Sequence, residues 1–133
     1  MARDAGAASD HVIPQADFEL DRLTMVILLE GPRAGEYPRE EAQRLANEHL
    51  HYTVGLVAGG HLLHAGPIMD PGPGSAFTGL AFGRTSPEDL RPLIEKDPAV
   101  IAGLETFRLV THAFPKGSLS FPGATAPEPP ATG

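Results

Sequence analysis

His49 and Asp97 are the two residues whose types and positions best suit proton-transfer chemistry. His49 stands in the apolar arc of a predicted helix, and Asp97 follows a second predicted helix, directly before Pro98. An imidazole titrates close to neutral pH, which suits general acid–base catalysis. A carboxylate that accepts a hydrogen bond from one ring nitrogen fixes the tautomer and raises the basicity of the other nitrogen. The two residues are therefore a candidate catalytic pair, although the sequence gives no distance between them.

Both residues also have a simpler interpretation, which is the more frequent one for such positions. His49 could be a core histidine whose ring nitrogens are satisfied by its neighbours. Asp97 could be a turn or capping aspartate, because an aspartate before a proline often ends one element and starts the next. The sequence leaves both interpretations open.

The other histidines do not have the spacing of a metal site. His49 and His51 form an HxH pair, but on a helix their side chains would lie about 200° apart. His61 and His64 would fall on opposite faces of a strand. The chain has no cysteine, which excludes disulfides, thiolate nucleophiles and iron–sulfur clusters. With no phosphate-binding loop and no GxSxG either, we expect no metal and no cofactor.

Six elements must position the candidate pair, and their order predicts an α+β, ferredoxin-like fold. The predicted strands and helices follow one another as β-α-β-β-α-β, the split βαβ pattern of a four-stranded antiparallel sheet with two helices on one face. Their predicted bounds are Leu23–Leu29, Pro38–Ala58, Leu62–Ala65, Phe77–Phe82, a helix capped by Ser86 that runs to about Lys96, and Leu104–Phe114.

The first strand and the first helix carry the clearest patterns. At about 100° per residue, one arc of the helix collects small and apolar residues together with the histidine. That arc contains Ala42, Leu45, Ala46, His49, Thr53, Leu56 and Val57. Leu23–Leu29 is a nearly continuous apolar run, which indicates a strand buried on both faces. Two helices cover only one face of the sheet, so a second subunit is the simplest cover for the other.

Composition narrows the partners of the protein. The 133 residues suit one domain, with an N-terminal arm over residues 1–20, a compact part over 21–114 and a tail rich in Pro, Gly and Ala over 115–133. The formal charge of −7 and scattered basic residues argue against nucleic acid. The sequence shows no secretory signal and no membrane-spanning run, so we expect a cytoplasmic protein.

The ordered set of motifs resembles the YciI-related (YCII) family between about Leu23 and Gly117. No single piece is specific, but the set and its spacings are fairly specific. The matching pieces are LLEGP (Leu28–Pro32), EHLHYTVGLVAGG (Glu48–Gly60), LLHAGP (Leu62–Pro67), TGLAF (Thr78–Phe82), SPEDLRPLIEKDPAVIAGL (Ser86–Leu104) and VTHAF (Val110–Phe114).

The resemblance implies a dimeric α+β barrel with a site built on a histidine and an aspartate, which fall on His49 and Asp97. Relatives often carry a histidine or tyrosine three residues after the first histidine, here Tyr52. They often carry a tryptophan near the end of the last strand, where this chain has Phe114, with His112 just before it. The resemblance therefore makes Tyr52, His112 and Phe114 candidate substrate contacts. His112 could equally be a histidine on the sheet surface.

Three functions fit these observations. The first is a cofactor-independent enzyme in which His49 and Asp97 transfer a proton, by elimination or isomerisation, on a small organic substrate. The second is a non-catalytic dimeric module that binds a small molecule or serves as an accessory subunit, with His49 as a hydrogen-bonding anchor. The third is a purely structural dimer. A cofactor-free monooxygenase shares the barrel but fits the motifs less well, and whether dimers assemble further is open.

Overall fold

The structure is a computed structural model that describes residues 11–124. The strands and helices follow the predicted order, with one additional short helix. They are β1 (Leu20–Glu30), α1 (Arg39–Ala58), β2 (Leu62–Pro67), β3 (Phe77–Gly83), α2 (Pro87–Ile94), α3 (Pro98–Ile101) and β4 (Glu105–Pro115), with a 3-10 turn at Ala34–Glu36. Within this part of the chain, no helix is long and apolar enough to cross a membrane.

The four strands form one sheet in the order β2-β3-β1-β4, and each neighbouring pair is antiparallel. This strand order, joined by two helical crossovers, is the ferredoxin-like split βαβ arrangement. The predicted fold class is confirmed. β1 pairs with β4 over its whole length, so that Leu20 lies opposite Pro115 and Glu30 opposite Glu105.

The core lies between one face of the sheet and the helices. Alternate residues of β1, including Val26 and Leu28, point to this face because side chains alternate along a strand. They pack with residues from α1, β2, β3 and α2, so both longer helices cover the same face. The buried cluster contains Val26, Leu28, Leu56, Leu62, Ala81, Leu90 and Ile94.

The second predicted helix is in fact two helices, which corrects its predicted extent to about Lys96. α2 ends at Ile94, and the unpredicted α3 begins at Pro98. Between them Asp97 is extended, with ψ 128°, as expected for a residue before proline. Its carboxylate accepts a hydrogen bond from the Ala99 amide, and Pro98 suits the first helical position because it needs no donor there.

The opposite face of the sheet is apolar but only half-buried. Met25 and Ile27 of β1 lie next to Leu80 and Phe82 of β3 on this face. The ring of Phe121 packs against Phe82, with ring centroids 5.9 Å apart. Within a single chain, the predicted burial of both faces of β1 is therefore found for one face only.

The predicted division into arm, domain and tail stays a prediction. Residues 1–10 of the arm and 125–133 of the tail lie outside the described residues. In the described part, β1 begins at Leu20 and β4 ends at Pro115.

A close approach between two glycines fixes where β4 begins. The Gly31 amide donates to the carbonyl of Leu104, at 2.8 Å. A Cβ atom at Gly31 would lie 2.3 Å from the carbonyl oxygen of Gly103 and 2.7 Å from the amide nitrogen of Glu105. Gly103 itself has φ +75°, which a side chain rarely tolerates. This contact sets the position from which the Glu105 side chain starts.

Gly31→Ala tests this contact. We expect it to lower the free energy of unfolding by about 1–3 kcal/mol, because the new methyl group meets backbone atoms that have little room to move. Urea unfolding measures the change. Gly35→Ala is the matched control, since nothing lies within 4 Å of a Cβ built there. Equal stability of the two variants would contradict the proposed contact.

Candidate functional site

His49 lies on the face of α1 that is turned toward the sheet. The helix begins after Pro38, and Glu40 and Glu41 lie in its first turn, where negative charge is favourable. The His49 side chain is half-buried, with 16% of its surface exposed. One turn later, the Thr53 hydroxyl donates to the carbonyl of His49, at 3.1 Å. The imidazole lies on the buried side of the helix while part of the ring stays accessible.

The structure brings Asp97 directly to His49, although the two are 48 residues apart in the chain. The Asp97 side chain is 2% exposed, and its Oδ2 lies 2.5 Å from Nδ1 of the imidazole. Its Oδ1 accepts the hydrogen bond from the Ala99 amide, at 2.9 Å. Asp97 is therefore both the capping residue of α3 and the partner of His49. This contact leaves Nε2 as the free ring nitrogen.

Glu105 is the third member of this cluster, and the sequence analysis missed it. Its Oε2 lies 3.2 Å from Nδ1 of His49, and its Oε1 accepts a hydrogen bond from the Thr78 hydroxyl at 3.3 Å. Oε2 is buried and has no hydrogen-bond partner among the described residues, while the Nδ1 atom beside it lies closer to Asp97. The available signal was the alternation of β4, which places Glu105 on the same face as Phe107 and Leu109, both packed on the core.

Burial and the neighbouring carboxylates have opposite effects on the pKa of His49. Burial acts to lower the pKa of the His49 imidazole, but the hydrogen bond to Asp97 and the negative charges of Glu105 and Asp97 outweigh burial and raise that pKa. Burial raises the pKa of the Glu105 carboxyl, and the charge of Asp97 acts in the same direction. Nδ1 of His49 and Oε2 of Glu105 lie 3.2 Å apart, so the titrations of these two side chains are coupled. His49 and Glu105 therefore each retain a proton to a higher pH than they would in isolation.

His49 and Glu105 line a cavity of about 320 Å³ between α1 and the sheet. Most of its wall is apolar. The lining residues are Leu28, Ala46, Asn47, His49, Leu50, Thr53, Ala65, Gly66, Pro67, Thr78 and Glu105. A concave apolar site with a few convergent polar groups and a shifted histidine is typical of small-molecule sites.

The predicted substrate contacts lie outside this cavity. The Tyr52 hydroxyl donates to the carbonyl of Leu93, at 2.6 Å, and its ring packs against the core. Burial, with the charge of Asp97 as the second cause, raises the pKa of the Tyr52 phenol. His112 and Phe114 pack on each other and line a separate hollow of about 550 Å³ beside residues 11–18. Their role as substrate contacts stays a prediction.

The cluster also offers three atoms of the kind that bind metals. Nδ1 of His49, Oδ2 of Asp97 and Oε2 of Glu105 all lie within 4.8 Å of one another. However, the 2.5 Å between Nδ1 and Oδ2 is a hydrogen-bond distance. If one ion were bound to both atoms at about 2.1 Å, the angle between the two ligand atoms at the ion would be about 70°, well below tetrahedral or octahedral values. We therefore interpret the cluster as a proton-sharing group.

The chain is similar to a solved structure at low sequence identity. No protein-family model and no curated protein matches the chain. The chain is similar to 5-chloro-2-hydroxyhydroquinone dehydrochlorinase (TftG) from Burkholderia phenoliruptrix AC1100, solved in complex with 2,5-dihydroxybenzoquinone. The identity is 19% and the TM-score 0.47, over 68% of this chain and 90% of that one. The fold assignment itself rests on the strand order and pairing described above.

Asp97→Asn tests the coupling between the two side chains. Asparagine still caps a helix, so α3 keeps its N-cap while the negative charge is lost. We expect the pKa of His49 to fall and the free energy of unfolding to drop by about 1–3 kcal/mol near neutral pH. NMR titration of the imidazole and urea unfolding measure the two effects.

The pH dependence of this loss follows from the direction of the shift. Because the folded-state pKa of His49 is raised above the unfolded value of about 6.5, the stabilisation is fully present below about pH 6.5. It disappears as the pH rises through the folded-state pKa, so the wild-type advantage should be larger at about pH 6 than at about pH 9. Asp70→Asn, in an exposed loop, is the control. An unchanged His49 titration in Asp97→Asn would rule out the coupling.

Proposed function

We propose that this protein is a cofactor-independent enzyme that transfers a proton on a small organic substrate, by elimination or isomerisation. The observation that carries the proposal is the placement of His49. One ring nitrogen is 2.5 Å from a buried carboxylate, while the same ring lines a largely apolar cavity. This arrangement gives a general base a fixed orientation and a place where a substrate can meet it.

The residues present supply each part of such a step. Nε2 of His49 would accept a proton from an activated C–H or O–H group of the substrate. Asp97 would hold the ring by its Nδ1 proton and stabilise the imidazolium that forms. The apolar wall around Leu28 and Leu50 would exclude water and so strengthen these interactions. Returning the proton to another atom completes an isomerisation, whereas loss of a leaving group completes an elimination.

A non-catalytic binding module is the alternative from a different class. The same cavity would then hold a metabolite, with His49 as a hydrogen-bonding anchor and no product formed. The surroundings of His49 favour a functional role over a packing role. The half-buried imidazole faces two carboxyl groups, and one buried oxygen of Glu105 has no hydrogen-bond partner among the described residues, which is costly for a site that only packs. A test of catalysis must therefore separate binding from proton exchange.

His49→Gln should abolish proton transfer without unfolding the protein. The assay follows, by NMR in deuterated water, the loss of C–H signals from a panel of phenols, quinones and enolisable cyclic ketones. For each compound that the wild type exchanges or converts, we expect the variant to be slower by at least about 100-fold, the lower range for general acid–base catalysis.

His51→Gln is the matched control, because His51 lies on the same helix but is exposed. It should keep full activity. Full activity in His49→Gln would refute the assigned role of His49. Compounds that bind to the cavity and never exchange a proton would favour the binding module.

We also propose that the chain forms a dimer through the outward face of its sheet. The support is the apolar surface that a single chain leaves half-exposed, formed by Met25, Ile27, Leu80 and Phe82. The helices cover only the opposite face. Large contiguous apolar surfaces are rare on monomers and common at interfaces. The resemblance to the YciI-related family implies the same dimeric barrel.

Met25→Lys should convert the dimer to a monomer. Met25 lies between Phe82 and Val110 on this face, so a second copy would bury the new charge against apolar side chains. Sedimentation velocity would give twice the chain mass for the wild type and the chain mass for the variant. Val54→Lys, at an exposed helix position, should leave the dimer intact. A monomeric wild type would refute the proposal.

A further inference from the structure

We propose that the His49 cavity takes an uncharged ligand and rejects organic anions of the same size, and that Glu105 is the residue that sets this preference. The inference rests on the proposed function only in taking this cavity as the ligand site. It adds the charge class of the ligand and a specificity-determining residue.

The position of Glu105 gives its charge a direct effect on the cavity. The side chain is 14% exposed and lines the cavity together with Thr78 and His49. Its carboxyl is held in place by the Thr78 hydroxyl on Oε1, and Oε2 lies against the imidazole. A bound ligand would therefore meet a fixed carboxyl group beside the histidine.

The net charge of the cluster does not depend on which member holds the shared proton. When the imidazole of His49 is protonated, both carboxyl groups are ionised and the sum is one negative charge. When Glu105 holds that proton, the imidazole is neutral, Asp97 is ionised and the sum is again one negative charge. With Asp97 alone as partner, a protonated His49 would be fully neutralised. With one proton shared among the three side chains, the second carboxyl therefore leaves the site with one negative charge.

Nothing else in the cavity wall offsets this charge. In the described part of the chain, no lysine or arginine is among the residues that line the cavity. Arg39 does not line the cavity but an adjoining groove that shares Glu105 with it, and Glu30 lies in the same groove. Tyr52, the other titratable group close to Asp97, is neutral at neutral pH and its pKa is raised further. Apolar side chains form most of the wall, so the negative charge is weakly screened inside it.

Benzyl alcohol and benzoate are a matched pair of probes for this preference. Each carries one ring, and they differ in charge more than in size. Titration of the full chain at neutral pH, followed by NMR shifts of His49, Thr78 and Leu28, would give both affinities. We expect the wild type to bind benzyl alcohol at least about tenfold more tightly than benzoate, as one like charge in a partly buried site requires.

Glu105→Gln should lower the ratio of the benzyl alcohol affinity to the benzoate affinity by at least about fivefold, mainly by strengthening the binding of benzoate. Glutamine can still accept the Thr78 hydrogen bond, so the wall keeps its shape. Glu40→Gln, which removes the same charge from an exposed site on α1, should leave the ratio unchanged. An unchanged ratio in Glu105→Gln would overturn the assignment of the preference to Glu105.

The affinities of the wild type for the two probes are enough to test the charge preference, whether or not the variants fold. Equal or tighter binding of benzoate would overturn the inference, since His49 would then be acting as the partner of an anion. The absence of binding by both probes would overturn it as well. Because this experiment measures binding alone, a charge preference without any proton exchange would leave the inference standing while the proposed catalysis failed.

Discussion

The site depends on one buried carboxylate that is held at both of its oxygens. Oδ1 of Asp97 caps α3 through the Ala99 amide, and Oδ2 bonds to His49. A carboxylate that is 98% removed from solvent is costly to bury unless such partners replace the water it loses. The same interactions therefore link the start of α3 to the middle of α1, two elements that are distant in sequence. Local backbone geometry and the orientation of the imidazole are set together.

Glu105, in contrast, is largely buried without enough hydrogen-bond partners to replace the water that its carboxyl group loses. One of its oxygens has a single hydrogen bond of 3.3 Å and the other has none. An unsatisfied buried oxygen typically costs about 1–3 kcal/mol. An apolar residue would fit the core-facing alternation of β4 without that cost. A sequence that breaks its own pattern at one position, beside the histidine, is what a functional site is expected to look like.

Much of the fold could be predicted because it follows from local patterns. The apolar run of β1, the capping of α2 by Ser86 and the arc of α1 all depend on neighbouring residues, and all were found. The short helix α3 was missed, because four residues give no measurable period and its only signals are Asp97 and Pro98 themselves. Those two residues were interpreted as the end of one helix, whereas they also begin another.

The site could be predicted only in part, because the contacts that define it are not local. The sequence suggested His49 and Asp97, but the distance between them depends on how α3 packs against α1. Glu105 was missed since an acidic residue at the start of a strand is usually solvent-exposed, although the alternation of β4 puts it on the same face as Phe107 and Leu109. The family resemblance suggested Tyr52, His112 and Phe114. Such a resemblance relates positions in two sequences and gives no information on which side chains are in contact.

In the structure Asp97 both caps α3 and bonds to His49, and this bears on how such a site can be tested. A residue that caps a helix and also orients a histidine will lower stability when it is truncated, whatever the protein does. Loss of function in an alanine variant would therefore say little about chemistry. Only a change that keeps the cap and removes the charge separates the two roles, because asparagine serves the Ala99 amide almost as well as aspartate but cannot stabilise an imidazolium in the same way. The physical constraint that builds the site thus also decides which substitutions are informative.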